Sequence, residues 1–192
     1  MQQGWSIPGK HFIFPNRTVP KTQVVSRNIG FDSDDYLIEY QVYMAPGVYM
    51  NAHVGDNADS DYSSPDEHMH RLTFHAGTGE LSLTLDNRAG GAQQVASVSN
   101  VVQSNTWMHF AMQKSGSNRI RLYLNGVLIV NVAANVLLRS IDFLAFDPFG
   151  EVIIRELSCR QSPVLPEVPF TPGPVTFASV FDPHLRFNSY ML

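Results

Sequence analysis

The chain has 192 residues with 13 Lys+Arg against 17 Asp+Glu, a formal net charge of -4 and one cysteine, Cys159. That balance excludes sequence-independent nucleic-acid binding, which needs clustered cations to displace counterions. A lone cysteine excludes an internal disulfide framework and a cysteine-built zinc cage.

Strands are expected near 10–15 and 21–27, and then a clear alternation begins. Ile38, Tyr40, Val42 and Met44 share one parity and Glu39 and Gln41 the other, so 36–44 predicts a half-buried strand, followed by another at 48–54. Leu72, Phe74 and Ala76 oppose Arg71, Thr73 and His75; Gly77-Thr78-Gly79 then turns the chain into Leu81, Leu83 and Leu85, which alternate with Glu80, Ser82, Thr84 and Asp86. Gly90-Gly91 precedes a weaker strand near 92–98. The window 93–104 is the one segment with any helical character, and Val95, Val98, Val101 and Val102 argue against it by β-branching. Met108, Phe110 and Met112 alternate with His109 and Gln113, Ser115–Asn118 makes a connection, and Ile120, Leu122 and Leu124 alternate with Arg119, Arg121 and Tyr123. Asn125-Gly126 then predicts a two-residue hairpin with both turn residues at positive φ, leading into Val127–Val132. Strands at 141–146 and 151–158 complete about a dozen. The expected fold is all-β, an antiparallel β-sandwich of jelly-roll type.

Composition changes near residue 161. Six of the 12 prolines lie in the last 32 residues, together with Phe170, Phe177, Phe181, Phe187 and Tyr190. Proline removes backbone donors, so 161–192 is expected to run as an extended arm beside a sandwich domain of 1–160. The arm folds back on its own domain or docks on a neighbouring subunit; the five aromatics are the expected contacts to protein neighbours. No apolar run reaches the roughly 20 residues that span a bilayer, and the first 20 residues carry Lys10 and Arg17 but no apolar block of roughly 7–15 residues such as a signal peptide has. An extracellular or virion-surface setting is the expectation.

Asn105-Thr-Trp-Met-His-Phe-Ala-Met, Arg119-Ile-Arg-Leu-Tyr-Leu-Asn-Gly-Val-Leu-Ile and Ile153-Ile-Arg-Glu-Leu-Ser resemble the concanavalin A-like lectin/glucanase superfamily, its laminin-G-like and pentraxin-like branches in particular. The resemblance spans roughly 30–160 and includes the strand Tyr36–Met44. It implies a sandwich whose members include lectins, adhesion modules, glycosidases and viral surface proteins, with Trp107 packed inside.

Because the superfamily includes glucanases, a carboxylate pair is the first chemistry to seek. Its Glu-x-Asp-x-Glu signature is missing; Glu151 with Glu156 and Asp142 with Asp147 are five apart, on opposite faces of a regular strand. Asp147-Pro148-Phe149-Gly150 reads as a turn. No catalytic residue is therefore assigned. Asp56, Asn57, Asp59 and Asp61 concentrate oxygen donors, with Asp66 and Glu67 beyond them. The candidate ligand-binding set is Asp56, Asn57, Asp59, Asp61 and Tyr62, and Asp56, Asp59 and Asp61 are a candidate calcium site. Of the clustered His53, His68, His70 and His75, His70 shares parity with Leu72 and Phe74 and predicts a hydrogen-bonded histidine at the core edge. Cys159 is expected to be structural. Trp5, Tyr43, Tyr49, Tyr62, Trp107 and Tyr123 are available for sugar stacking, though packing is the commoner use of each.

The function these features favour is a non-catalytic structural or interaction module, a subunit of a larger assembly contacting its neighbours through the arm. The alternative is a lectin-like glycan-binding module, calcium-assisted or not; a glycoside hydrolase comes last.

Overall fold

A computed structural model describes residues 4–14, 23–32, 36–55, 68–87, 91–115, 119–133 and 140–161, with 4–14 and 23–32 described through their strand pairing. Twelve strands occupy them: β1 (Gly4–Phe14), β2 (Gln23–Asp32), β3 (Tyr36–Met44), β4 (Tyr49–Gly55), β5 (His68–His75), β6 (Glu80–Asn87), β7 (Gly91–Val98), β8 (Trp107–Ser115), β9 (Arg119–Leu124), β10 (Val127–Ala133), β11 (Ser140–Phe149) and β12 (Val152–Gln161). They form two antiparallel six-stranded sheets. Sheet A has the order β1-β12-β3-β8-β9-β10 and sheet B the order β2-β11-β4-β5-β6-β7. The all-β sandwich expected from the alternation is the fold found. The only helix-like window in the sequence is strand β7 and the loop after it, as its β-branched valines favour.

Inward-facing side chains from the two sheets make one core. Ile38, Tyr40, Val42, Met44, Met108, Phe110 and Met112 come from sheet A, and Met50, Leu72, Phe74, Leu81, Leu83 and Phe146 from sheet B. Four aromatics join the layers at its centre. Tyr40 lies 5.1 Å from Phe110 and 5.2 Å, edge-on, from Phe146, and Phe74 meets Phe110 at 5.1 Å and 80°. The Tyr40 hydroxyl is buried without a partner among the described residues, and burial holds its phenol well above the ordinary range. Toward one end of the core, Tyr36 of β3 and His70 of β5 bridge the sheets through Oη and Nδ1, 3.1 Å apart. His70 is thus the satisfied core histidine its parity predicts. Lys114, across from Tyr36 in the β3–β8 register, is buried as well.

The hairpin between β9 and β10 turns on Asn125 (φ 50°) and Gly126 (φ 77°), as expected of an Asn-Gly turn. Asn125 also ties the turn to β8: its N–H donates to the His109 carbonyl (2.7 Å) and its Oδ1 accepts from the His109 N–H (2.8 Å).

Three local expectations change. Asp147 and Pro148 are not in a turn: β11 continues through Phe149, pairing Asp147 with Asn51 and Pro148 with Met50. Its pairing with β2 runs only to Phe146, so Pro148 sits where its missing N–H breaks no ladder bond on that side. The chain reverses instead at Gly150 (φ 123°). In β12, a bulge at Glu156 (φ 55°) reverses the parity, so Val152 and Ile154 point inward before it and Leu157 and Cys159 after it. Strict alternation therefore cannot place Glu156, which joins Arg155 on the outer side. Trp107, finally, does not pack inside. It stands half-buried on the outer face of sheet A beside Tyr43, their rings 5.7 Å apart.

Candidate functional site

On sheet B the outward positions come from β11, β4, β5 and β6, and register aligns them in rows. One row is Phe149–Tyr49–His75–Glu80, the next Asp147–Asn51–Thr73–Ser82, the third Ala145–His53–Arg71–Thr84. Aromatic and polar groups thus meet across a sheet that covers the core on its other side.

The first row is a stack. Tyr49 lies 3.9 Å from Phe149 at 21° and 5.9 Å from His75 at 17°. His75 Nδ1 accepts the Thr78 backbone N–H at 3.2 Å, which puts the proton of a neutral imidazole on Nε2. A Cβ at Gly77 would approach His75 Cε1 to 3.1 Å, so glycine gives the ring its room. The second row is polar. Thr73 Oγ1 donates to Asn51 Oδ1 at 2.7 Å, which uses the amide oxygen and leaves the amide NH₂ as the donor Asn51 offers. Next to it in register, Asp147 has a buried Oδ1 without a partner among the described residues, and desolvation holds its carboxyl above the ordinary range. The Tyr49 phenol is raised too, by desolvation first and by the Asp147 charge second. In the third row His53 is buried, its Nδ1 3.1 Å from Met69 Sδ, and Thr84 and the neighbouring Asp86 are buried with it.

An amide donor and a carboxylate acceptor on adjacent strands, beside an aromatic stack, suit a ligand with neighbouring hydroxyls and an apolar C–H face. The Asp147 carboxylate also has a cost. Its raised pKa means that folding favours the protonated form, so stability falls as pH climbs past the ordinary carboxyl value of 3.8. Asp147→Asn is expected to raise Tm at pH 7. The gain should vanish in acid where both side chains are neutral; thermal melts across that range check it.

Sheet A carries a second outward cluster, but its groups consume one another. The Arg155 guanidinium lies 3.8 Å from the centre of the Trp107 ring, and Arg155 Nε donates to Gln41 Oε1 at 2.8 Å. Gln41 Nε2 in turn donates to the Glu156 carboxylate. His109 Nε2 is 3.7 Å from Glu39, and the Tyr43 hydroxyl donates to Asn105 at 3.2 Å.

Of the sites expected from sequence, Asp56, Asn57, Asp59, Asp61 and Tyr62 lie outside the described residues, as do the arm aromatics Phe170, Phe177, Phe181, Phe187 and Tyr190. Among the described residues no group of three His, Cys, Asp or Glu is placed to hold a metal ion, and no helix is long and apolar enough to cross a membrane. Cys159 is buried and its thiol is pushed up to about 12, which suits a structural role. Glu151 is exposed and precedes β12, while Glu156 sits at the bulge. Five residues of strand, roughly 16 Å, separate them. The residues sequence reasoning missed are Asn51, Thr73, His75, Phe149 and Asp147. The polar parity of β4 and β5 held the first three; the turn assignment at 147–150 hid the other two.

Two antiparallel six-stranded sheets packed face to face in this order define the class: a concanavalin A-like, jelly-roll sandwich. No known family model matches the chain and no curated protein sequence matches it. Solved structures do. Sheep galectin-11, in complex with glycerol, aligns at 13% identity over 76% of this chain and 98% of its own, with a TM-score of 0.54. A carbohydrate-binding module of family 66 from Bacillus subtilis aligns at 15% identity over 67% and 76%, TM-score 0.50. The receptor-binding domain of botulinum neurotoxin D aligns at 10% identity over 84% of this chain and 45% of its own, TM-score 0.56. The fold expected from the sequence is the one these structures share; they do not carry the finer laminin-G or pentraxin branch.

Proposed function

We propose that this chain is a non-catalytic, lectin-like module that binds glycan on the outer face of sheet B. One observation carries this reading: the partly dehydrated Asp147 carboxylate, its Oδ1 without a partner among the described residues, beside the Thr73-held Asn51 amide and flanked by the Phe149–Tyr49 stack. Oδ1 is enclosed, so the half-buried carboxylate is only partly solvated, and a saccharide hydroxyl donates to its accessible remainder. The fold is shared with a protein named for carbohydrate binding. We therefore set glycan binding ahead of the assembly-subunit reading that the composition favoured.

The absence of catalysis is part of the proposal, and the placement of acids supports it. Asp147 on β11 and Glu80 on β6 lie three strands apart on this face, roughly 14 Å. A retaining glycosidase needs its carboxyls about 5–5.5 Å apart and an inverting one about 6.5–9.5 Å.

A glycan array tests the reading. The unmodified chain is expected to bind, and Asn51→Ala and Asp147→Asn each to weaken binding by about tenfold or more, the usual scale of a lost hydrogen bond involving a charged group. Arg155→Ala, on the other sheet, should leave binding unchanged. A blank array with the folded chain, or equal loss from Arg155→Ala, would overturn the assignment. Repeating the array with calcium and with EDTA tests the proposed ion at Asp56, Asp59 and Asp61.

A further inference from the structure

The outer face of sheet A holds an anomaly. Leu37 of β3, Ala111 of β8 and Tyr123 of β9 occupy outward positions, yet each is only 3% exposed, and they cluster with the half-buried Leu128 of β10. Gln113 and Arg121, in the same two rows, are 1% and 5% exposed. Burial is the main reason the Tyr123 phenol is raised, against the lowering effect of Arg121. All twelve described strands belong to one of the two sheets, so none of them crosses this face. Both amide atoms of Gln113 are buried without a partner among the described residues. An apolar strip beside a buried amide suits a segment of extended chain, which brings side chains for the strip and peptide groups for the amide.

The chain itself leads there. β12 ends at Gln161, paired with Tyr36, and the outward-facing partners just before it on β3 are Leu37, paired with Arg160, and Glu39, paired with Ser158. Those pairs continue across the sheet as Leu37–Gln113–Arg121–Asn131 and Glu39–Ala111–Tyr123–Leu128, the two rows that hold the buried outward residues. The chain therefore leaves sheet A at the edge of the strip. From β12 to β10 is four strand spacings, roughly 19 Å, which about six extended residues cross. Val164, Leu165, Val168 and Phe170 come within nine residues of Gln161, interleaved with Pro163, Pro166 and Pro169. Prolines keep such a segment extended, and the nearly zero linker makes its local concentration high.

We propose that the chain following Gln161 folds back over the outer face of sheet A of its own molecule and packs its first apolar side chains on Leu37, Ala111, Tyr123 and Leu128. The outer face of sheet A is then covered along this strip. The proposal does not depend on glycan binding by sheet B.

The test uses the full chain carrying Leu128→Cys. Cys159, buried and with a raised thiol pKa, is the silent internal control. Adding Leu165→Ser, Val168→Ser and Phe170→Ser is expected to raise the alkylation rate at position 128 at least about tenfold while far-UV circular dichroism stays unchanged, as for a local opening. In a second experiment, benzophenone-maleimide attached to the thiol introduced at position 128 is photolysed in a mixture of ¹⁴N and ¹⁵N chains, with the arm unsubstituted. Cross-links to residues 162–170 of the same isotope are the expected result. Cross-links to the other isotope would assign the face to a second copy and overturn the proposal. Cross-links elsewhere, or an unchanged alkylation rate in folded protein, would overturn it too.

Discussion

Phe110→Ala is expected to destabilise the protein by about 3–5 kcal/mol, the range for removing a large aromatic from a close-packed core. Phe110 is fully buried on β8 and touches aromatics of both layers, Tyr40 at 5.1 Å and Phe74 at 5.1 Å. Its loss leaves a void between the sheets that strand backbones, fixed by ladder bonds on both sides, cannot close. Set against the roughly 5–15 kcal/mol of a typical domain, that is a large fraction of the total stability. Urea denaturation reads the effect as a lower midpoint with an unchanged slope. Phe110→Leu should cost far less because it keeps most of the volume. A midpoint unmoved by Phe110→Ala would mean that the two sheets do not meet where described.

Gly150→Ala is the second large effect. The residue has φ 123°, a conformation that L side chains rarely adopt, and an added Cβ would lie 2.4 Å from Val48 Cγ2. Backbone strain and overpacking together are expected to cost roughly 2–5 kcal/mol. Val48→Ala in the same chain removes the clashing methyl groups and should recover part of that loss, leaving the backbone contribution. Because Gly150 follows Phe149 directly, any relaxation also displaces the Phe149–Tyr49 stack. The single variant should therefore bind glycan more weakly as well as melt earlier. Thermal melts and the array together separate the two effects.

The fold was largely legible because most strands have one face on the core and one toward water, and period-2 patterns report that difference directly. β3, β5, β6, β8 and β9 were visible for this reason, and Asn125-Gly126 fixed the hairpin by the conformation it requires. What escaped were places where a neighbour overrides local preference. Asp147-Pro148 has turn composition, but pairing with Asn51 and Met50 holds it in a strand. Glu156 carries no sign that its backbone will bulge and exchange the faces of β12. The proposed binding face was legible only in fragments. Tyr49 and Asn51 on one strand and Thr73 and His75 on the next show their polar parity locally. Their meeting with Asp147, nearly a hundred residues later, depends on strand order and register, which no short pattern encodes.

The strand order has a consequence for how the molecule is made. β11 inserts between β2 and β4, and β12 between β1 and β3. During synthesis, then, sheet B has an empty lane until residue 149 leaves the ribosome and sheet A until residue 161 does. The earlier strands wait with two open flanks apiece, and the local meanders β4–β7 and β8–β10 are the pieces able to assemble meanwhile. Closure comes from β11 and β12, consecutive strands joined at Gly150 but inserted one into each layer. Closure should be slow, and a ribosome stalled before codon 140 should display a protease-sensitive chain.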